Sequence, residues 1–189
     1  MAENAQASIN LPEQMETKSL LNGKPFFRIH WEEYGAEFYN KELRFGNSNG
    51  VLYAAEEALG AVVEVFGNTI LSDLKAVAMD DLKNRRLAQF IIAEPVEVVS
   101  FTGTDLMKNG VDATIFSGNH MVAQQWSQSI LDHPESYAGI YYPCRHHAQT
   151  HSVALFQGRV TFEKRDLGPL DERPDVMDIL KEYDVDILT

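Results

Sequence analysis

Short runs in which apolar and polar residues alternate recur along most of the chain, and this period of two is typical of half-buried β-strands. The first run, Phe-Phe-Arg-Ile-His-Trp at residues 26–31, combines aromatic and β-branched residues with polar interruptions. Pro95 separates two later runs and indicates a bulge or a sheet edge between them. The pattern predicts strands at residues 26–31, 51–53, 90–93, 96–99, 140–142, 153–156 and 160–162.

Other segments repeat their apolar residues with a helical period. Val122, Trp126 and Ile130 are four residues apart and are therefore expected on one face of a helix. An earlier apolar run ends at Gly67 and Asn68, two residues that are common just after a helix. The segment before Arg86 is only poorly periodic, and a break in its helix is the alternative. Helices are predicted over residues 56–66, 72–86, 119–131 and 174–183.

This mixture of strands and helices predicts an α+β domain, because it has more strand edges than one parallel sheet would present. At 189 residues, with 44% hydrophobic and 23% charged residues, the chain fits one domain with a sizeable core. Residues 34–50 are rich in Gly, Asn, Tyr and charge and predict a long loop.

Charge and cysteine content narrow the class of protein. The net charge of −12 argues against a nucleic-acid partner, and an anionic ligand would need its own local arginines. One cysteine, Cys144, excludes an intrachain disulfide and favours a reducing, cytoplasmic location. No run of about 18 apolar residues predicts a membrane span. The first residues, 1–18, lack the features of a signal peptide and are expected to fray.

Glu64 is the most informative single residue, since it is the one charge in the apolar run Ala-Val-Val-Glu-Val-Phe. On a helix its neighbours are Gly60, Ala61, Gly67 and Asn68, which would leave a groove for a ligand or another strand. A carboxylate between apolar walls suits the stabilisation of a transient cation such as an oxocarbenium. A solvent-facing glutamate on an ordinary amphipathic helix is the alternative.

Four further residues are candidates for ligand binding. Arg28 interrupts an aromatic strand and should face away from its two apolar neighbours, where a phosphate or carboxylate could pair with it. Arg44 lies in a loop beside Gly46, which would let the backbone approach a ligand closely. Tyr53 could stack on a flat ring, and Ser117 precedes a helix N-terminus that could bind an anion. Each residue also has a purely structural interpretation. In the same order, these are an exposed strand residue, a charged residue in a turn, a core tyrosine and a helix cap.

The segment from Cys144 to His151 is the most conspicuous local cluster, since it also holds His146 and His147. Cysteine and histidine could bind zinc, or a Cys–His pair could supply a nucleophile. Four donors within eight residues crowd one loop, however, and the usual paired spacing of zinc ligands is absent. A polar loop between two strands is the third interpretation, and the sequence favours it.

These signals fall in an order that resembles the RES-domain family over about residues 25–160. The first half of the resemblance rests on Phe-Phe-Arg28, Arg44-Phe-Gly-Asn, Val-Leu-Tyr53-Ala-Ala and Ala-Val-Val-Glu64. The second half rests on Ser117, a helix around Trp126, Ala-Gly-Ile-Tyr-Tyr-Pro-Cys-Arg at 138–145 and Val-Ala-Leu-Phe at 153–156. The sequence departs from the family at Cys144, where serine is frequent, and at Phe45, where tryptophan is frequent.

The resemblance implies a fold similar to ADP-ribosyltransferases, with mixed, mostly antiparallel sheets flanked by helices. It implies a polar tail over 1–22, a RES domain over 23–165 and an extension with a packed helix over 166–189. It also implies an enzyme that cleaves the nicotinamide–ribose bond of NAD, by phosphorolysis with inorganic phosphate. Such an enzyme would be the toxin of a type II pair with a helix-turn-helix antitoxin.

Carried over by position, the family's roles make Glu64, Arg28 and Tyr53 catalytic. Glu64 would steady the ribosyl cation, Arg28 and Arg44 would hold the pyrophosphate and ribose, and Tyr53 would pack on nicotinamide. Ser117 would be a polar residue of the same site, and no metal is required. Transfer of ADP-ribose to a protein, a non-catalytic binding module, and a metal-dependent hydrolase built on the Cys144 cluster remain alternatives.

Overall fold

The structure is a computed structural model that describes residues 9–189. Its strands are β1 Thr17–Leu20, β2 Pro25–Trp31, β3 Val51–Ala55, β4 Ala76–Ala78, β5 Arg85–Ile92, β6 Val96–Ser100, β7 Gly139–Cys144, β8 His147–Phe156, β9 Phe162–Pro169 and β10 Asp186–Leu188. Its α-helices are α1 Ala58–Ile70, α2 Met79–Lys83, α3 Gly103–Lys108, α4 His120–Leu131 and α5 Pro174–Glu182. Short 3-10 helices cover Glu32–Tyr34, Ala113–Phe116 and Leu170–Glu172.

Eight of these strands form one sheet in the order β1–β6–β7–β8–β3–β2–β5–β9. Its neighbouring strands run antiparallel, apart from the parallel pair β6–β7. Strands β2 and β3 are paired only at Phe27 and Ala55, so the sheet splits beyond this point. Strands β4 and β10 form a separate parallel pair. The predicted α+β class with a mostly antiparallel sheet is confirmed.

The two faces of the large sheet are covered differently. On one face, strand residues such as Leu20, Phe26, Leu52 and Val98 pack on one another, so the curved sheet buries this face against itself. The other face carries two helical groups. Helices α1, α2 and α5 pack over β2 and β5, while α4 packs over β6, β7 and β8. A cleft remains between α1 and α4, above the split between β2 and β3.

Three predicted helices are present with shifted ends. Helix α1 begins at Ala58, past the predicted start at residue 56, and continues to Ile70. Helix α4 buries Ala123, Ser127 and Ile130, whereas Val122 is 49% exposed. The buried face is therefore rotated by one residue from the predicted one. None of the helices in the described part of the chain is long and apolar enough to cross a membrane.

The helix predicted over residues 72–86 is broken, and only Met79–Lys83 of this segment is α-helical. Lys75 has a positive φ of 40°, which is incompatible with a continuous helix. The strand β4 follows it, then the short helix α2, and β5 begins at Arg85. Strand β4 forms because β10 pairs with it from the end of the chain, a partner that local periodicity cannot reveal.

The polar tail predicted over residues 1–22 differs from the structure in its second half. Thr17–Leu20 forms the edge strand β1 on β6, and Leu20 is almost fully buried. Met15 is also buried, and its backbone N–H donates to the hydroxyl of Tyr137. The proposed boundary at residue 165 falls inside β9, which extends to Pro169. Residues 1–8 lie outside the described part of the chain.

Candidate functional site

A cleft of about 370 Å³ opens between α1, α4 and the split in the sheet. This volume lies within the range of small-molecule sites. Side chains from both sides of β2 reach it, because β2 and β3 separate here. The lining consists of Phe27, Arg28, Ile29, Leu43, Arg44, Phe45, Tyr53, Ala54, Ala55, Ala61, Glu64, Val65, Phe116, His120, Tyr142, Pro143, Arg145 and Ser152.

Arg28 bridges the split between the two strands. Its Nη1 donates a hydrogen bond to the backbone carbonyl oxygen of Tyr53 at 2.8 Å. This carbonyl belongs to β3 and lies where β2 and β3 are no longer paired, so the side chain of Arg28 supplies its donor. Its Nε is buried without a hydrogen-bond partner. Burial lowers the pKa of Arg28, although arginine stays charged at neutral pH. This buried guanidinium therefore has an unused donor beside the cleft.

Tyr53 connects β3 to the loop before it. Its hydroxyl oxygen accepts a hydrogen bond from the backbone N–H of Phe45 at 2.9 Å. Burial raises the pKa of Tyr53 well above its usual value, so the hydroxyl stays neutral. The ring is fixed at both ends, by the strand and by this hydrogen bond, and it lines the cleft.

Arg44 is held by neutral partners. Its Nη1 donates to the carbonyl oxygens of Ile115 and Gly118, both at 3.0 Å. Burial and the nearby charge of Arg145 lower the pKa of Arg44. A Cβ at Gly46 would overlap the carbonyl of Lys41, so this glycine permits a close approach within its own loop and not to a ligand.

Glu64 lies on the wall of the same cleft as Arg28. The residue is solvent-exposed, and its Oε1 accepts a hydrogen bond from the backbone N–H of Arg145 at 3.2 Å. Burial, followed by the hydrogen bond to Glu64, raises the pKa of Cys144 to about 11. The carboxylate is thus open to solvent through the cleft and anchored by the end of β7.

The small residues around Glu64 have two different uses. The α-carbon of Gly60 packs against the side chain of Ala55, and that of Gly67 packs against the ring of His146. Ala61 lines the cleft itself. The predicted groove is therefore filled at its two ends by protein and is open only beside Ala61 and Glu64.

Ser117 is placed differently from the other four predicted site residues. It follows the 3-10 helix Ala113–Phe116, and it is not part of the cleft lining. Its neighbours Phe116 and His120 line the cleft instead. The structure therefore brings together Arg28, Arg44, Tyr53 and Glu64 but not Ser117.

The Cys144 cluster has no geometry for a metal site. Among the residues that the structure describes, no group of three or more His, Cys, Asp and Glu is placed to hold a metal ion. His146 packs on α1, while His151 stacks on Tyr141 with ring centroids 5.0 Å apart. With its raised pKa and its burial, the Cys144 thiol is protonated at neutral pH and is a poor nucleophile.

Four polar residues of the cleft are absent from the sequence prediction: His120, Tyr142, Arg145 and Ser152. Tyr142 is buried, and burial together with the charge of Glu64 raises its pKa far above the usual value. Tyr142 and Arg145 lie in the stretch 138–145, on which the family resemblance partly rests. Their place in this stretch was the sequence signal that could have identified them as site residues.

The cleft is positively charged in an acidic protein. It holds the three arginines Arg28, Arg44 and Arg145 and the single carboxylate Glu64, a formal charge of +3 − 1 = +2 with histidine neutral. Within residues 9–189 none of these arginines forms an ion pair with a carboxylate. Such a site favours a ligand with about two negative charges, with one carboxylate left to stabilise a cation.

Comparisons with known proteins concern the fold and the family of the chain. No match was found among curated proteins. Among solved structures, a chain of the crystal structure of the M. tuberculosis MbcT–MbcA toxin–antitoxin complex is similar, with a TM-score of 0.59 and 13% identity over 86% of this chain and 92% of that chain. At this identity the likeness concerns the fold. The family model of the RES domain matches residues 27–173, and the chain therefore belongs to the RES-domain family.

Proposed function

We propose that this protein cleaves the bond between nicotinamide and ribose in NAD. The observation that carries the proposal is that one cleft of a RES-domain chain holds Glu64 and three arginines with no ion pair in the described part of the chain. In a protein of net charge −12, two excess positive charges in one cleft support an anionic substrate. NAD has a pyrophosphate with two negative charges and a cationic nicotinamide ring, which fits this distribution.

The arrangement of the arginines supports a binding mode for NAD. Arg28 and Arg44 flank Tyr53, so a pyrophosphate bound between their guanidinium groups would place the rest of the dinucleotide along the tyrosine ring. The ring of Tyr53 offers a flat apolar surface for nicotinamide. Both arginines are already oriented by carbonyl oxygens, which lowers the entropy cost of binding.

The proposed chemistry needs one carboxylate and good positioning. When the C1′–N bond breaks, its electron pair stays on the nicotinamide nitrogen, and nicotinamide leaves neutral without taking a proton. The ribose is left with oxocarbenium character, which Glu64 stabilises by its negative charge. Inorganic phosphate then takes up C1′ in a phosphorolysis. No metal takes part in this scheme.

We further propose that the protein acts in the cytoplasm as the toxin of a toxin–antitoxin pair, inhibited by a helix-turn-helix antitoxin. The structural likeness to a chain from a toxin–antitoxin complex supports this role. Leu43 on the cleft wall is an exposed apolar residue, as are Met121 and Val122, which follow the lining residue His120 in the chain, and these residues support a protein partner near the mouth of the cleft.

Product identification tests the proposal. The purified protein is mixed with NAD in buffers with and without inorganic phosphate, and the products are separated and weighed by mass spectrometry. With phosphate present we expect free nicotinamide and the phosphate adduct of ADP-ribose, and without it a slower release of nicotinamide in which water is the acceptor and free ADP-ribose the second product. Nicotinamide release with ADP-ribose attached to protein would favour transfer to a protein acceptor, and saturable binding of intact NAD would favour a binding module.

A further inference from the structure

Arg145 lines the cleft together with Arg44 and Glu64. Its backbone N–H donates to Glu64 Oε1 at 3.2 Å, so its side chain leaves the backbone directly beside the carboxylate. Besides burial, the charge of Arg145 lowers the pKa of Arg44, because two like charges that line one cleft repel each other. Arg145 is therefore the arginine whose backbone contacts the carboxylate of the site.

The backbone of Arg145 is held by the fold. Strand β7 ends at Cys144 and β8 begins at His147, so Arg145 occupies the tight turn between them. Two contacts fix this turn on α1, one turn of helix apart: Arg145 on Glu64, and the ring of His146 on the α-carbon of Gly67. The side chain of Arg145 is exposed, but its backbone is held against α1 by these two contacts.

The charges of Arg44 and Arg145 are not neutralised by protein. Arg44 donates only to carbonyl oxygens, and among residues 9–189 no ion pair involves Arg145. Two like charges with neutral partners are stabilised by an anion that bridges them. An oxyanion offers several acceptors to two guanidinium forks.

We infer that Arg145, together with Arg44, binds the inorganic phosphate acceptor beside Glu64. The inference rests on the proposed cleavage of NAD. In the proposed binding mode Arg28 and Arg44, which flank Tyr53, contact the NAD pyrophosphate, so Arg44 is shared between the two anions and Arg145 is the cleft arginine that contacts phosphate alone. The acceptor must reach C1′ next to Glu64, and Arg145 is the arginine attached to that carboxylate. Arg145 is thus a residue that determines which acceptor is used.

The step that this site supports transfers ADP-ribose from nicotinamide to phosphate. One oxygen of HPO₄²⁻ forms a bond to the oxocarbenium carbon C1′ of ribose, and this new C1′–O bond replaces the broken C1′–N bond to nicotinamide. The electron pair of that bond remains on the nicotinamide nitrogen, and the proton stays on the transferred phosphate. The products are neutral nicotinamide and the 1-phosphate of ADP-ribose.

The test compares Arg145→Gln and Arg145→Lys with Arg165→Gln. Arg165 is a matched control, because it is an exposed arginine on β9 that pairs with Glu163, away from the cleft. In Arg145→Gln we expect the KM for phosphate to rise about tenfold or more, as for loss of a charge-assisted hydrogen bond. The KM for NAD should rise several-fold less. Arg145→Lys should fall between wild type and Arg145→Gln, and the control should match wild type.

A second measurement does not depend on turnover. Titration of inorganic phosphate, followed by the ³¹P line width in phosphate-free buffer, should show binding to wild type and to the control that Arg145→Gln weakens about tenfold. Equal phosphate binding and equal phosphate KM in wild type and Arg145→Gln overturn the inference. So does a KM for NAD that rises as much as that for phosphate. If wild type leaves NAD intact but binds phosphate through Arg145, the proposed cleavage fails and the anion site stands.

Discussion

Arg28 donates a hydrogen bond from Nη1 to the backbone carbonyl oxygen of Tyr53, 2.8 Å away, at the point where β2 and β3 separate. A carbonyl at a split in a sheet must be satisfied by another donor, because an unpaired buried polar group is costly. Here the donor is a charged side chain with a further buried nitrogen unused. One residue thus closes the edge of the split and presents a cation to the cleft.

Arg28→Lys should therefore affect both stability and substrate binding. Lysine keeps the charge but lacks the planar fork, so we expect the free energy of unfolding to fall by about 1–3 kcal/mol. Binding of NAD should weaken as well. Urea unfolding and a binding titration measure the two effects, with Arg165→Lys on the surface as the control. An unchanged unfolding midpoint would contradict the structural part of this account.

Cys144 should react slowly with thiol reagents in the folded protein. Its pKa is raised to about 11 by burial and by the Glu64 carboxylate, so the reactive thiolate is scarce at neutral pH. We expect iodoacetamide labelling at pH 7.5 to be slower than in the urea-unfolded chain by roughly 10²-fold or more. The rate should increase with pH up to the pKa. Equal rates in the folded and unfolded protein would show that the thiol is neither buried nor hydrogen-bonded as described.

Gly67→Ala should disturb the turn that carries Arg145. A Cβ at this position would lie 2.5 Å from Cγ of the His146 ring, so the ring must move. We expect a loss of about 1–3 kcal/mol, typical of overpacking. The double variant Gly67→Ala/His146→Ala should recover most of it, because the second change removes the overlapping ring. Additive losses in the double-mutant cycle would argue against this contact.

The stability of the protein should fall in acid partly through Glu56. Burial alone would raise the pKa of Glu56, but hydrogen bonds from Tyr141 at 2.7 Å and Lys24 at 3.0 Å outweigh it and lower the pKa. A lowered pKa means that the stabilisation is complete above the unfolded value, about 4.3, and is lost as the pH falls through the folded value.

Urea unfolding between pH 6 and pH 3 measures this contribution. Glu56→Gln should be less stable than wild type at pH 6 and should lose less stability on acidification. Glu163→Gln, an exposed carboxylate paired only with Arg165, serves as the control. Parallel pH profiles for wild type and Glu56→Gln would exclude the proposed role of Glu56.

The parts of the structure that depend on local pattern could be predicted from the sequence. Helix α1 with its lone Glu64, the strand around Arg28 and the α+β class follow from periodicity. The family resemblance then supplied the reason to expect Arg28, Arg44, Tyr53 and Glu64 together, and the cleft does contain all four. Their roles in catalysis remain predictions.

The features that sequence analysis missed depend on distant partners. Strand β4 forms because β10 pairs with it, and β1 because the edge of β6 is available. Val122 is exposed because the buried face of α4 is set by the strands beneath it. Arg145 was overlooked because its importance comes from a contact with Glu64, which is 81 positions away in the chain.

The most direct test of the central claim is the rate of nicotinamide release from NAD by wild type and Glu64→Gln. Because Glu64 is exposed, the substitution should change stability by less than about 0.5 kcal/mol, and folding can be verified separately. Glu57→Gln, an exposed carboxylate one position before α1, is the matched control and should behave like wild type. We predict that Glu64→Gln lowers the rate by about 10²–10³-fold. Nicotinamide release that is equal in wild type and Glu64→Gln, or NAD that stays intact with wild type, would contradict the account.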